Sequence, residues 1–471
     1  MLKINATQES DGISIEIKNK KFNIKFPKDL WQKTPKSVRD VLFENLVFGN
    51  THYLPLIFDE EKISYNTRMP LFESFLFKNQ LYDLLCCEKA DNEKHLEYVK
   101  NFYNLEFEFA RGPSGVVDSI EVPKFNERKP VAIIPFSFGK ESLLTFAICL
   151  ELGIKPVLVY CQEPVQPYEE KYKIKKLKEL SEKFNVDAYF IKNDPGLFRY
   201  GKAFNKKLGT ELGWGTQTTL LAMLCVPFVY AYKAKYIFFG SEYSNNETSK
   251  QNGWNTYPSY DQTADWTTQQ NNIVKLLTNN QCGLNSSLEP LEEINIFYIL
   301  HHRYPEIGKF QFSCSAENPL YENSQWCHKC YKCSRIFLFA QCCGIDPYKI
   351  GFKEDLLRDR NLFPHYFGKE SKSGSIQELD FSFYSLCGKK DKSPLTKLFE
   401  TQKLPSLKPW LFFREYYGRL KPELNLPKEY RQTMRKIFSE ELKNFSEVLP
   451  KSSSKRPEGL LASSMNKANS T

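Results

Sequence analysis

Four cysteines in the second half of the chain carry the plainest chemistry. Cys314 is followed by Cys327, Cys330 and Cys333, the last three spaced at two-residue gaps in Cys327-His328-Lys329-Cys330-Tyr331-Lys332-Cys333. Such gaps let thiolates converge on one ion, and a fourth sulfur from a preceding strand or loop closes the tetrahedron of a structural Zn²⁺ site. Four protein thiolates leave no open position, so this ion would hold structure and not react. Iron–sulfur ligation uses the same residue type and stays open. So do buried free thiols and a ligating His328, although flanking Lys and His residues suit an apolar core poorly. Cys342 and Cys343 read as helix-core thiols.

The second chemical segment is Ser137-Phe138-Gly139-Lys140-Glu141-Ser142, between an apolar run and a helical stretch. A strand, a short Gly-containing turn and a helix N-terminus together make an anion site, because the first helical N–H groups point outward and the helix dipole adds positive potential. Gly139 allows close backbone approach, Ser137 and Ser142 offer hydroxyls, and Lys140 supplies charge. Glu141 is a hard oxygen ligand suited to Mg²⁺. The Walker A spacing is absent. An ordinary polar turn between strand and helix is the plain structural reading of the same residues.

The elements that would position this loop alternate. Residues 131–136, 156–160, 188–191 and 235–240 are short apolar runs, the pattern of strands buried on both faces. Residues 142–152, 169–184 and 216–232 between them have helical spacing. The expectation is an α/β fold, a doubly wound parallel sheet covered by helices on both faces, over residues 128–345. Residues 1–127 are expected to form a separate α+β domain, with a strand at 13–17, a hairpin partner at 20–26 and a helix at 37–47. Residues 346–450 are a mixed extension ending in a helix at 438–448, and 451–471 are a Ser/Lys-rich tail expected to be disordered.

The loop resembles the PP-loop of ATP pyrophosphatases, whose usual form is Ser-Gly-Gly-x-Asp-Ser. Phe138 stands where the first Gly is usual and Glu141 where Asp is usual. The order of later segments is similar too: Tyr160-Cys161-Gln162-Glu163 ends the second strand, Gly240-Ser241-Glu242-Tyr243-Ser244 follows the fourth, and Leu288-Glu289-Pro290-Leu291 precedes a helix and then the cysteines. Over residues 130–335 this order resembles 7-cyano-7-deazaguanine synthases. Trp326-Cys327-His328-Lys329-Cys330-Tyr331-Lys332-Cys333 and the whole-chain layout resemble the ATP-dependent UDP-N-acetylmuramoyl-alanyl-glutamate epimerases.

These resemblances imply ATP, Mg²⁺ and Zn²⁺ as cofactors. ATP would be held by Ser137, Phe138, Gly139, Lys140, Ser142, Cys161, Gln162, Gly240 and Glu242, with Lys140, Glu141 and Ser142 catalytic. They imply adenylation of a small-molecule carboxylate, with release of pyrophosphate and then AMP. The leading expectation is epimerisation of a muramoyl dipeptide glutamate; the alternatives are a nucleobase-modifying ligase and a non-catalytic nucleotide-binding protein. Gln281-Cys282-Gly283-Leu284-Asn285 is similar to the Cys-Gly-Leu-His element of phosphosulfate reductases, but it lacks the His and precedes the cysteine cluster. His301 and His302 are adjacent on a helix, about 100° apart, and cannot form a metal pair.

Composition narrows the class. The chain has 471 residues, 41% hydrophobic and 26% charged, enough for two to three globular domains. A net charge of +9, from 65 basic and 56 acidic residues, is thinly spread. It attracts phosphates without the dense basic patch of a nucleic-acid binder. Lys171 to Lys178 reads as a solvated helix face. The start lacks an apolar export segment, and no apolar run reaches the ~20 residues that span a bilayer. With 13 cysteines, these features favour reduced thiols and a cytoplasmic location.

Overall fold

The computed structural model describes residues 1–86, 92–112, 124–125, 129–164, 167–206, 212–251, 253–313, 325–367 and 376–451. Cys314 and the tail from 452 onward lie outside them. The chain forms two compact units. The first comprises 1–291, 310–312 and 421–432; the second comprises 292–309, 313–420 and 433–471.

The first unit is built on a ten-stranded, mostly parallel sheet. Its strands begin with β1 (Leu2–Glu9), β2 (Gly12–Ile17), β3 (Lys20–Lys25), β4 (Lys62–Arg68) and β5 (Glu106–Arg111). They continue with β6 (Lys129–Pro135), β7 (Lys155–Gln162), β8 (Asp187–Asn193) and β9 (Ala234–Phe239). A separate hairpin of β10 (Ser249–Gln251) and β11 (Trp254–Thr256) follows, and β12 (Gly283–Ser286) completes the sheet. The order across it is β12-β9-β6-β7-β8-β3-β2-β1-β4-β5. Neighbours from β12 to β8 all pair in parallel, and in chain order these five strands run 3-2-1-4-5 from β8 to β12.

The boundary expected at 127/128 is not where the units divide. β3 pairs antiparallel with β8, through Ile24 with Asn193 and Lys25 with Lys192. Ile4, Ile15 and Ile24 belong to one buried cluster with Ile133, Val157 and Val226. The physical reason is an edge. A parallel strand such as β8 would otherwise present unpaired N–H and C=O groups, and the hairpin of β2 and β3 supplies their partners. The hairpin itself was legible as two alternating runs; what it docks on was not.

The helices between the parallel strands are Lys140–Glu151, Pro167–Phe184 and Gln217–Tyr232. The last is apolar all round and almost entirely buried, as a helix enclosed in a large core must be.

The second unit is helical among the described residues. Its helices include Glu293–Arg303, Tyr331–Cys343, Ile376–Gly388, Pro394–Gln402 and Trp410–Tyr417. Helix Arg431–Val448 adds its residues from 433 onward. Stacked rings such as Phe381 on Trp410, with centroids 5.4 Å apart, fill its core. The cysteine cluster, expected within residues 128–345, lies in this unit. No helix among the described residues is long and apolar enough to cross a membrane.

Candidate functional site

The chain leaves β6 through Phe136, Ser137, Phe138 and Gly139, and enters helix Lys140–Glu151 with Gly139 at its N-cap. Gly139 has no side chain to cap the helix, so the first turn keeps its anion-binding character. Hydroxyls brace the loop instead. The Ser137 N–H donates to Ser142 Oγ at 3.3 Å, the Gly139 N–H donates to Ser137 Oγ at 3.3 Å, and the two Oγ atoms are 3.4 Å apart. Phe138 adopts φ 63°, the left-handed region that glycine occupies freely. For a bulky residue this costs about 1–2 kcal/mol. Its ring offsets the strain by complete burial, packed edge-on against Phe136 at 4.8 Å. Its carbonyl accepts from the Phe312 N–H at 2.9 Å. Burial of the ring and this backbone bond therefore hold the loop's path.

The end of β9 closes on this turn. A Cβ built on Gly240 would fall 2.9 Å from both the Cβ and the carbonyl oxygen of Glu141, so only glycine fits there. Lys140 is buried, and its ammonium pairs with Glu141 and stands 4.0 Å from Glu242 Oε2. Glu242 is oriented by Ser244, whose hydroxyl donates to Oε1 at 2.8 Å. Thus Ser137, Gly139, Lys140, Glu141, Ser142, Gly240 and Glu242 come together at the carboxyl ends of β6 and β9.

Cys161 and Gln162 end the neighbouring strand, β7, but the surroundings of Cys161 are a different group of residues. Glu163 forms a two-pronged ion pair with Arg199, from the turn after β8. It also accepts from Asn193 at 3.2 Å and from Gln217 at 3.3 Å. Burial, then the Glu163 charge, pushes the Cys161 thiol well above its ordinary range, so it stays protonated and is no nucleophile.

The polar segment that follows β9 is tied up in internal bonds. Asp261 accepts from the Thr218 N–H at 2.8 Å, Asn246 accepts from the Ala264 N–H at 2.7 Å, and Trp266 donates to Thr219 at 2.8 Å. Glu289 is likewise a fastener: its carboxylate accepts from the N–H groups of Leu424 at 3.1 Å and Asn425 at 2.6 Å. Cys282 is buried beside its own backbone.

In the second unit the Cys327, Cys330 and Cys333 sulfurs all lie within 4.8 Å of one another, with gaps of 3.8 Å between Cys327 and Cys333 and 3.5 Å between Cys330 and Cys333. The edge of a tetrahedron with ~2.3 Å Zn–S bonds is about 3.8 Å, so the three thiols fit such an ion. The backbone prepares them. The N–H groups of Lys329 and Cys330 point at Cys327 Sγ at 3.4 and 3.3 Å, and that of Cys333 at Cys330 Sγ at 3.4 Å, bonds that favour thiolate over thiol. His328 turns away: at φ 62° its Nε2 accepts from the Lys353 N–H at 2.9 Å. Trp326 anchors the turn by donating to the Ile350 carbonyl at 2.7 Å and stacking on Phe352. This cluster could hold a metal ion such as zinc.

His301 and His302 diverge, His301 against Phe297 and His302 onto Glu441 at 2.7 Å. Cys342 and Cys343 are buried on helix Tyr331–Cys343. Arg199 and the buried Asp83, described below, were not singled out from sequence. Glu163 at the end of an apolar run and the Gly213-Trp214-Gly215 turn were the available signals. No family model matches the chain, and no curated protein matches it, so the functional reading rests on the site's own residues.

Proposed function

We propose that this protein is an ATP-dependent adenylating enzyme of the PP-loop kind, acting on a small-molecule carboxylate. One observation carries the reading. A strand–turn–helix loop with a buried lysine sits where the parallel strand order reverses, between β6 and β9, and the β9 end is pressed against it by Gly240. In doubly wound sheets such a switch point, at the carboxyl ends of the strands, is where ligands bind. The 3-2-1-4-5 order supports assigning the parallel half of the sheet to that class.

In this reading the first turn of helix Lys140–Glu151, with Ser137 and Ser142, receives the β- and γ-phosphates. Lys140 offsets the charge that gathers on the departing pyrophosphate. Glu141 and Glu242, two carboxylates flanking that lysine, fit Mg²⁺ as hard oxygen ligands, and the ion would neutralise phosphate charge. A carboxylate oxygen of the acceptor attacks the α-phosphorus. The bond from that phosphorus to the β-bridging oxygen breaks, and pyrophosphate takes the electron pair. The resulting acyl adenylate later releases AMP. Gln162, at the end of β7, would contact the nucleoside.

The muramoyl dipeptide glutamate is the first acceptor to try, on the Trp326 to Cys333 pattern, and carboxy-deazaguanine the second. For the metal we propose zinc, completed by Cys314. The test of function uses α-labelled ATP with Mg²⁺ and both acceptors. Label in AMP, with stoichiometric pyrophosphate, is expected. Label only in ADP overturns the reading, and nucleotide binding without turnover would make the chain a sensor.

A further inference from the structure

An exposed tryptophan held rigid by a buried carboxylate stands at the same end of the sheet as the loop. Trp214 is 44% exposed. Its turn is clamped on both sides: Asp83, from helix Glu73–Cys86, accepts from the Gly213 N–H at 2.9 Å and the Gly215 N–H at 2.6 Å. Asn79 of the same helix donates to the Gly215 carbonyl at 2.8 Å. The bonds that satisfy the buried Gly213 and Gly215 N–H groups also fix the backbone that carries the exposed ring, and immobilising it in advance lowers the entropy cost of binding.

The position is informative too. Glu163 follows β7, Arg199 follows β8, and Gln217 opens the helix that returns to β9, so all three lie at the carboxyl ends of the parallel strands. Adjacent strands stand about 4.8 Å apart, which puts this group one to two strands from the phosphate loop. The Arg199 guanidinium lies 5.9 Å from the Trp214 ring centroid and is fixed there by Glu163. A guanidinium at that distance is attracted to the ring face, which further restricts the tryptophan.

We infer that Trp214 is the stacking platform of the acceptor subsite and takes a planar nucleobase-type ring. The inference rests on the adenylating reading for the word acceptor; the ring-binding itself does not. A uracil ring carried on a diphosphate and a deazaguanine ring share the required chemistry, and the test separates them.

Intrinsic tryptophan fluorescence of the full chain is titrated separately with uridine diphosphate, carboxy-deazaguanine and Mg-ATP, for wild type, Trp214→Phe and Trp214→Ala. One ring probe is expected to quench wild type, with the quench absent in Trp214→Phe. Its affinity, measured by calorimetry, should fall roughly tenfold to a hundredfold in Trp214→Ala, the range for loss of one base–aromatic stack. Mg-ATP affinity should change less than twofold. Quench by uridine diphosphate assigns the ring to a nucleotide-linked acceptor, and quench by carboxy-deazaguanine to a free base. The inference is overturned if neither probe quenches wild type, or if the quench survives in Trp214→Ala. It is also overturned if Mg-ATP affinity falls tenfold, because the platform then belongs to adenine. The Mg-ATP titration of wild type tests the adenylating reading on its own: a wild-type chain that binds a ring probe but no Mg-ATP would sink that reading and leave the ring site standing.

Discussion

The loop after β6 and the thiol cluster are organised in opposite ways. The thiol cluster concentrates its chemistry in three identical side chains spaced within one tight turn and the first turn of a helix, with backbone N–H groups serving them. The loop does the reverse. Its backbone would serve the ligand, and its side chains hold the backbone in shape. Side-chain sites tolerate little substitution but are visible in sequence. Backbone sites tolerate unusual residues, as Phe138 in a left-handed conformation illustrates, and are correspondingly harder to read.

The sharpest way to break this comparison is at the metal. Elemental analysis of protein prepared without oxygen is expected to show about one zinc per chain. Removing it with a strong chelator, or Cys330→Ser, takes away several kcal/mol of folding free energy. At 2–4 °C per kcal/mol for domains of this size, the unfolding temperature of the second unit should drop by about 10 °C or more. Iron with acid-labile sulfide, or an unchanged transition after metal removal, would refute the structural-zinc assignment.

The loop should behave differently, losing rate more than stability. Lys140→Ala is expected to slow pyrophosphate release by ~10²–10³ while the protein stays folded, the usual cost of one charge-stabilising donor. Glu141→Asp should retain activity and Glu141→Gln should weaken the Mg²⁺ dependence. Equal losses of stability and rate in Lys140→Ala would mean that the lysine merely neutralises Glu141 and Glu242.

Gly240→Ala probes the close approach between β9 and the loop. The added methyl meets Glu141 at 2.9 Å on both Cβ and carbonyl oxygen, so the loop must shift. Overpacking of this kind costs about 1–3 kcal/mol. A fall in the unfolding temperature accompanied by a ten-fold weaker nucleotide affinity is the expected pair of results. Unchanged nucleotide affinity would detach the β9 end from the site.

How much of this was legible follows from the same contrast. The runs at 131–136, 156–160, 188–191 and 235–240 became β6, β7, β8 and β9 because buried parallel strands need unbroken apolar residues. The two-residue gaps of Cys327, Cys330 and Cys333 announced their convergence. The pairing of β3 with β8 was not legible, because edge-to-edge pairing runs through backbone groups that every residue carries. Nor was Asp83. An acidic residue on a helix reads as a solvated face, and nothing local says that Gly213 and Gly215, far along the chain, will bring their N–H groups to it.

Asp83 yields the smallest and most specific effect. Burial, reinforced by the nearby Asp261 charge, raises its carboxyl to about 7, while the Gly213 and Gly215 N–H groups and Gln80 pull it down. The unfolded value is ~3.9, so the native state binds the proton more tightly. Stability is therefore greatest below the unfolded value and declines as pH rises from about 4 to 7, and the decline ends above the folded value. The turn responds in the other sense. A protonated Asp83 has one fewer acceptor site for the three donors it now serves, Gly213, Gly215 and Gln80, so the clamp on Trp214 loosens as the pH falls through 7. Wild-type fluorescence anisotropy minus that of Trp214→Phe should drop with a midpoint near pH 7. In Asp83→Asn, which keeps the shape but cannot titrate, that midpoint should vanish, and with it the excess loss of stability between pH 5 and 7. A midpoint that survives in Asp83→Asn would assign the titration elsewhere and leave Trp214 without a rigid mount.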